Sequence, residues 1–368
     1  MSATTTTTNT ATSTHATGRA GTEARAVSLR WIISARDDLV WFIGSVLTSY
    51  ALFALYIGGV VPLVPMVAAW AILIDAPHVF GTLSRTYFDR AERQARRRLL
   101  LASLLFFLVG PLMVLAGAGF VFFFVAALWA YYHLVKQHYG FMVLYKKKND
   151  DLAPADNALD RFFLLLAFTY PFVAFVARDE EASARVPPAL LGVVGHLERI
   201  LLAAFAIAAL TWLARQVQLC WRAAPLDVPK YLLLAAAIPM HWVVLLTPMP
   251  HKPIAIVAIL TIYHNFQYHR LIWFHNRKYT GDGQSRERHG AAELISRRLL
   301  HYVAFGILFG LWYQVPRQYV NHVTGEKTLL TQLASAFLWG YALMHYYLDS
   351  KIWRVRRDPS VGEALRMH

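Results

Sequence analysis

About ten apolar runs divide the chain, at 39–57, 60–81, 98–116, 119–145, 159–177, 189–214, 231–247, 253–275, 298–314 and 331–352. Each is close to the roughly 20 residues a helix needs to cross a hydrocarbon core about 30 Å thick. In that solvent every backbone N–H and C=O must be satisfied internally, so a spanning segment is a helix or a strand of a closed barrel. Runs this long without period-two alternation select helices. The expected fold is all-α: a polytopic membrane helix bundle with about ten transmembrane helices. A composition of 57% hydrophobic against 16% charged residues excludes an ordinary soluble domain.

The formal charge of +14 raises the question of nucleic acid. The basic residues lie in short clusters between apolar runs, which is a topology signal and not a phosphate groove, so nucleic acid is not an expected partner. With the N-terminus set in the cytoplasm, the inward loops and the C-terminal segment hold 24 Lys and Arg, among them Arg96–Arg98, Lys146–Lys148, Arg297, Arg298 and Arg354. The outward loops hold five: Arg178, Arg185, Lys252, Arg317 and Lys327. Both termini are therefore expected in the cytoplasm. Residues 1–27, rich in Thr, Ala and Ser, read as a disordered tail; 28–358 read as a single transmembrane domain and 359–368 as a cytoplasmic tail. Heavy Ala and Arg usage suggests a bacterial inner (plasma) membrane. The single Cys220 excludes an internal disulfide and any thiolate cluster.

Seven histidines fall near the inward ends of these runs: His78, His133, His138, His264, His269, His275 and His345. Polar groups in a span are costly and mark function, and imidazoles from four separate spans at one depth are expected to converge on a metal. Asp75 and His78 are three apart and share a helical face, with Pro77 between them to bend the helix. His133 and His138 are five apart, roughly 140° around a helix, so one straight helix cannot aim both at one ion. They would serve two metals, or one would support the other. Residues 263–270, Tyr-His-Asn-Phe-Gln-Tyr-His-Arg, form the most polar stretch of any run. Asn265 and His269 are nearly in phase there, as are His264 and His275. His345 and Asp349 are four apart on one face, and Asp349 could ligate directly or orient a histidine. An Arg at mid-membrane costs about 2.5–3.5 kcal/mol on insertion scales, so Arg270, together with Lys136, is expected to hold an anionic headgroup near the inner interface.

Neutral imidazoles with one or two carboxylates and no thiolate suit iron, and also zinc, copper or manganese. Asp75, His78, His133, His138, His264, His269, His275, His345 and Asp349 are too many ligands for one tetrahedral zinc but enough for two irons. The pairs His133 and His138, His264 and His269, His345 with Asp349, and Asp75 with His78 resemble the ligand stretches of the membrane histidine-box non-haem di-iron enzymes, which include desaturases, hydroxylases and carotene-cleaving oxygenases. This chain carries no His-His dipeptide, where those desaturases show paired histidines. The resemblance implies an O2-dependent oxidoreductase with Fe as cofactor, a lipid-like substrate drawn from membrane lipids and a cytoplasmic electron donor. Two other classes share the pattern. A haem-bearing electron carrier would use two histidines as axial ligands, and a metal-ion or proton transporter would use His and Asp as a relay.

Overall fold

The computed structural model describes residues 27–279, 285–319, 328–355 and 358–367. The disordered tail expected at 1–27 therefore lies, but for Val27, outside the described residues, as do His322, Lys327, Arg356, Arg357 and His368. Among the described residues, eight helices are long and apolar enough to cross a membrane. They are α1 (Ala35–Ile57), α2 (Leu63–Thr86), α3 (Arg97–Leu115), α4 (Gly119–Lys148), α5 (Pro154–Arg178), α6 (Pro188–Trp221), α7 (Val228–Leu246) and, after the next helix in sequence, Leu299–Arg317. Two further helices of 24 residues, α8 (Lys252–His275) and α10 (Leu329–Ile352), are as long but more polar. The helix between them is α9 (Leu299–Gln318). The chain is thus an all-α polytopic bundle. The two helices that fall short of an ordinary span in hydropathy are those bearing His264, His269 and His345.

Local chemistry sets the helix ends. Pro154 and Pro188 open α5 and α6, where their missing N–H costs nothing. The Ser34 and Asp227 side chains accept from the backbone N–H of Asp37 and Lys230 and cap α1 and α7. Two π turns interrupt the α-helical ladder, at Asp38–Ile43 in α1 and at Ala71–Asp75 in α2. The second lies just before Pro77, which has no N–H to give the preceding turn. Among the described residues the strands are a two-residue parallel pair, Val27–Ser28 against Leu226–Asp227.

Packing divides into an inside and an outside. The largest buried cluster joins residues of α1, α4, α5, α7 and α8, including Phe42, Met142, Phe168, Leu233 and Ile259. Val361, Leu365 and Met367 belong to it too, so the segment after α10 folds back onto the bundle end. A second cluster joins α2, α8 and α10. Around the outside, Leu47, Val64, Leu210 and Leu300 are exposed, an apolar surface of the kind lipid covers and water does not. At one end of the bundle Lys146 pairs with Asp160, and Lys230 reaches Asp151 at 2.6 Å and Asp160 at 3.3 Å. That network ties the ends of α4, α5 and α7.

Candidate metal centre

Where the second cluster meets α4, four helices each contribute one imidazole: His78 from α2, His133 from α4, His264 from α8 and His345 from α10. All four are buried. Ligand atoms of His78, His133 and His264 lie within 4.8 Å of one another, as do those of His133, His345 and Asp349. The two groups share His133. The ring centroids of His78 and His264 are 4.8 Å apart, those of His133 and His345 4.8 Å, and those of His133 and His264 5.1 Å.

The donor atoms are in a state suited to metal. His78 Nδ1, His133 Nε2 and His264 Nδ1 are buried without a hydrogen-bond partner among the described residues. Unpaired buried polar atoms carry a penalty of roughly 1–3 kcal/mol each, which a bound cation would remove. His78 Nε2 and His345 Nε2 are 2.8 Å apart, closer than a porphyrin placed between two axial ligands would allow. Around them stands a polar support. Thr82 Oγ1 lies 2.7 Å from Asp349 Oδ1 and 2.8 Å from His345 Nδ1, and the Tyr268 hydroxyl donates to Asp349 Oδ1 at 2.8 Å. Tyr346 stacks on His133 with centroids 4.4 Å apart.

Not every residue singled out in the sequence arrives here. His269 stands beside the centre, 6.1 Å from His78 between centroids, but both its nitrogens are engaged. Nε2 donates to the Ile74 carbonyl at 3.1 Å, and Nδ1 accepts from the Tyr302 hydroxyl at 3.0 Å. Asp75 joins neither ligand group and accepts from Asn265 Nδ2 at 3.4 Å. His138 points away from His133, as their angular separation requires, and meets His241 on α7 at 5.5 Å between centroids. His275 is in phase with His264 but about 16 Å further along the axis. It packs 5.5 Å from Trp353 and lines a cavity of about 610 Å³ at the bundle end.

The two basic residues also go elsewhere. Arg270 is held by Asp37, with Nε at 2.9 Å and Nη2 at 2.7 Å, so its charge is answered inside the protein. Lys136 sits over the ring of Tyr139, 4.4 Å from its centroid. The sequence pattern does not single out Thr82, carries Tyr268 only as part of the polar stretch 263–270, and sets His241 toward the outer side, apart from the seven clustered histidines. Thr82 and Tyr268 lie one helical turn after His78 and His264, so their phase was visible, but a threonine or tyrosine at a span end usually has no such task. His241 sits in α7 with no polar neighbour in sequence to draw attention to it. Comparison with models of known families, with curated proteins and with solved structures gives no match.

Proposed function

We propose that this chain is a membrane-embedded non-haem iron oxidoreductase, an oxygenase, hydroxylase or desaturase, acting on a lipid-like apolar substrate. One observation carries the reading: four imidazoles and a carboxylate, drawn from four helices of an apolar bundle, bring their ligand atoms within 4.8 Å of one another in two groups. Two overlapping groups suit two ions, and nitrogen and carboxylate donors without thiolate suit iron. Bound iron would supply the activation of dioxygen, which no side chain here performs by itself. The protein's own part is to hold and orient. His78, His133, His264 and His345 ligate as neutral groups, so Asp349 is the one carboxylate that offsets the metal charge in a poorly solvated site. Thr82 and Tyr268 fix Asp349 in place through hydrogen bonds. The apolar helix faces admit substrate from the bilayer and keep bulk water out.

We read all ten long helices as crossing the membrane, with both termini in the cytoplasm, because 24 basic residues then fall on the inner side and five on the outer. An inner bacterial membrane and a cytoplasmic electron donor go with that orientation. The test is metal analysis with an optical spectrum on protein purified anaerobically. The expected outcome is about two irons per chain and no Soret band. Protein without iron that takes none up on reconstitution would end the proposal. Substitution of His133 by Ala should remove most of the bound iron, since both groups use it.

A further inference from the structure

His138 leaves α4 on the side opposite the candidate centre and meets His241 of α7. Both side chains are fully buried, with centroids 5.5 Å apart and planes at 88°. His138 Nδ1 lies 3.0 Å from the Leu134 carbonyl, and His241 Nδ1 lies 2.9 Å from the Ala237 carbonyl. A carbonyl oxygen only accepts, so each Nδ1 carries the ring proton and each Nε2 is a bare lone pair. Neither Nε2 has a hydrogen-bond partner among the described residues.

The aromatic side chains packed on the pair direct no donor at these nitrogens. Phe168 packs 4.3 Å from His241 and 5.3 Å from His138. Tyr263 lies 5.3 Å from His138 and Tyr131 lies 6.2 Å from His241, but their hydroxyls donate to the Phe42 and Phe168 carbonyls. Two basic nitrogens thus sit in one buried aromatic pocket with no hydrogen-bond partner among the described residues. Leaving both unmet would cost roughly 1–3 kcal/mol apiece.

We propose that His138 and His241 form a second metal site, distinct from the centre at His133, which holds one monovalent copper ion between two neutral imidazoles. The charge of the ion follows from the surroundings. The pocket has no carboxylate among the described residues, so a divalent ion would bring a second charge that none of them offsets. A closed-shell monovalent ion is content with two ligands, and imidazole is a good copper ligand. The flanking aromatic faces favour a single positive charge. The Nδ1–H bonds to backbone carbonyls are the arrangement that orients metal-binding histidines and fixes Nε2 as the ligand. The site goes beyond the proposed iron chemistry and does not rest on it.

The experiment is anaerobic titration of the detergent-purified full chain with Cu(I), in competition with a chromophoric Cu(I) chelator. His241→Phe, His138→Phe and His345→Ala are titrated beside the wild type. Phenylalanine occupies similar space in an aromatic pocket, and a cooperative thermal transition checks that each variant is folded. The wild type should bind one Cu(I) that both Phe variants lose, with affinity weakened at least about a hundredfold, the upper end of what losing a mere supporting partner costs. His345→Ala should retain that ion. X-ray absorption at the copper edge of the wild type alone should show two nitrogen neighbours. Equal uptake by His241→Phe, or loss in His345→Ala with retention in the Phe variants, overturns the site. So does a wild type that takes up no Cu(I), the result if the two lone pairs share a water molecule. Iron content reads other residues, so either proposal can fail while the other stands.

Discussion

Thr82 shows what a single side chain decides at this centre. Its hydroxyl lies 2.5 Å from Tyr268 Oη, 2.7 Å from Asp349 Oδ1 and 2.8 Å from His345 Nδ1. A threonine hydroxyl donates once and accepts twice, so it can donate to Asp349 and accept from His345, while the one proton of the Tyr268 hydroxyl goes to Asp349. That assignment puts the His345 proton on Nδ1 and leaves Nε2 as a lone pair for metal. Thr82→Val keeps the volume and removes the hydroxyl. Metal affinity should then fall by about 10–100-fold, the usual effect of losing such a support. Retention of metal during dialysis against graded chelator measures it, and unchanged retention would make Thr82 a packing residue only. Arg270 teaches the opposite lesson at the same scale. Its cost in an apolar run was legible in the sequence, but its partner Asp37 is 233 residues away, and no local pattern names it.

At the scale of elements, close approach between α9 and the π turn of α2 positions the front of the centre. A Cβ added at Gly310 would lie 2.1 Å from the Ile72 carbonyl oxygen, and one at Gly306 would lie 2.9 Å from Pro77 Cβ. Both glycines let α9 press on the segment that aims His78. Gly310→Ala should therefore destabilise the fold by about 1–3 kcal/mol, as overpacking does, seen as a lowered thermal midpoint in detergent. At Gly140 of α4 an added Cβ meets nothing within 4 Å. Gly140→Ala should stabilise the helix by about 0.5–1 kcal/mol. If the two substitutions shift the midpoint equally, the close contact at Gly310 is not what holds α9. Helical phase had already separated His133 from His138, and the structure sends them to α10 and α7 respectively. The phase was a property of one helix, whereas the destination depends on which neighbour packs on each side.

At the scale of the whole molecule, the end of the bundle near Asp227 holds together segments distant in sequence. The Asp227 carboxylate caps α7 through the Lys230 N–H and accepts from Asn149 Nδ2, and Asn149 in turn accepts from the Ser28 hydroxyl. Burial pushes its pKa up from 3.8 to about 6, against the opposing pull of the Lys230 N–H and charge. A pKa raised on folding means that the folded state binds the proton more tightly. The stabilisation is therefore full below about pH 4 and is lost as pH rises through about 6. Asp227→Asn keeps an oxygen acceptor for both hydrogen bonds and carries no charge. It should raise the thermal midpoint at neutral pH and flatten the rise in midpoint that the wild type shows on acidification from pH 6 to 4. A variant whose midpoint follows the same pH curve as the wild type would refute this role for Asp227. The sequence by itself determined the helical class, the boundaries of most spans and the kinds of atoms available for chemistry. Those follow from run length against bilayer thickness and from the side chains themselves, which are local quantities. Only the tertiary structure decided that His78, His133, His264, His345 and Asp349 meet while His138, His275 and Arg270 turn elsewhere. Convergence depends on how helices far apart in the chain pack and rotate against one another, and one helix's periodicity does not encode that.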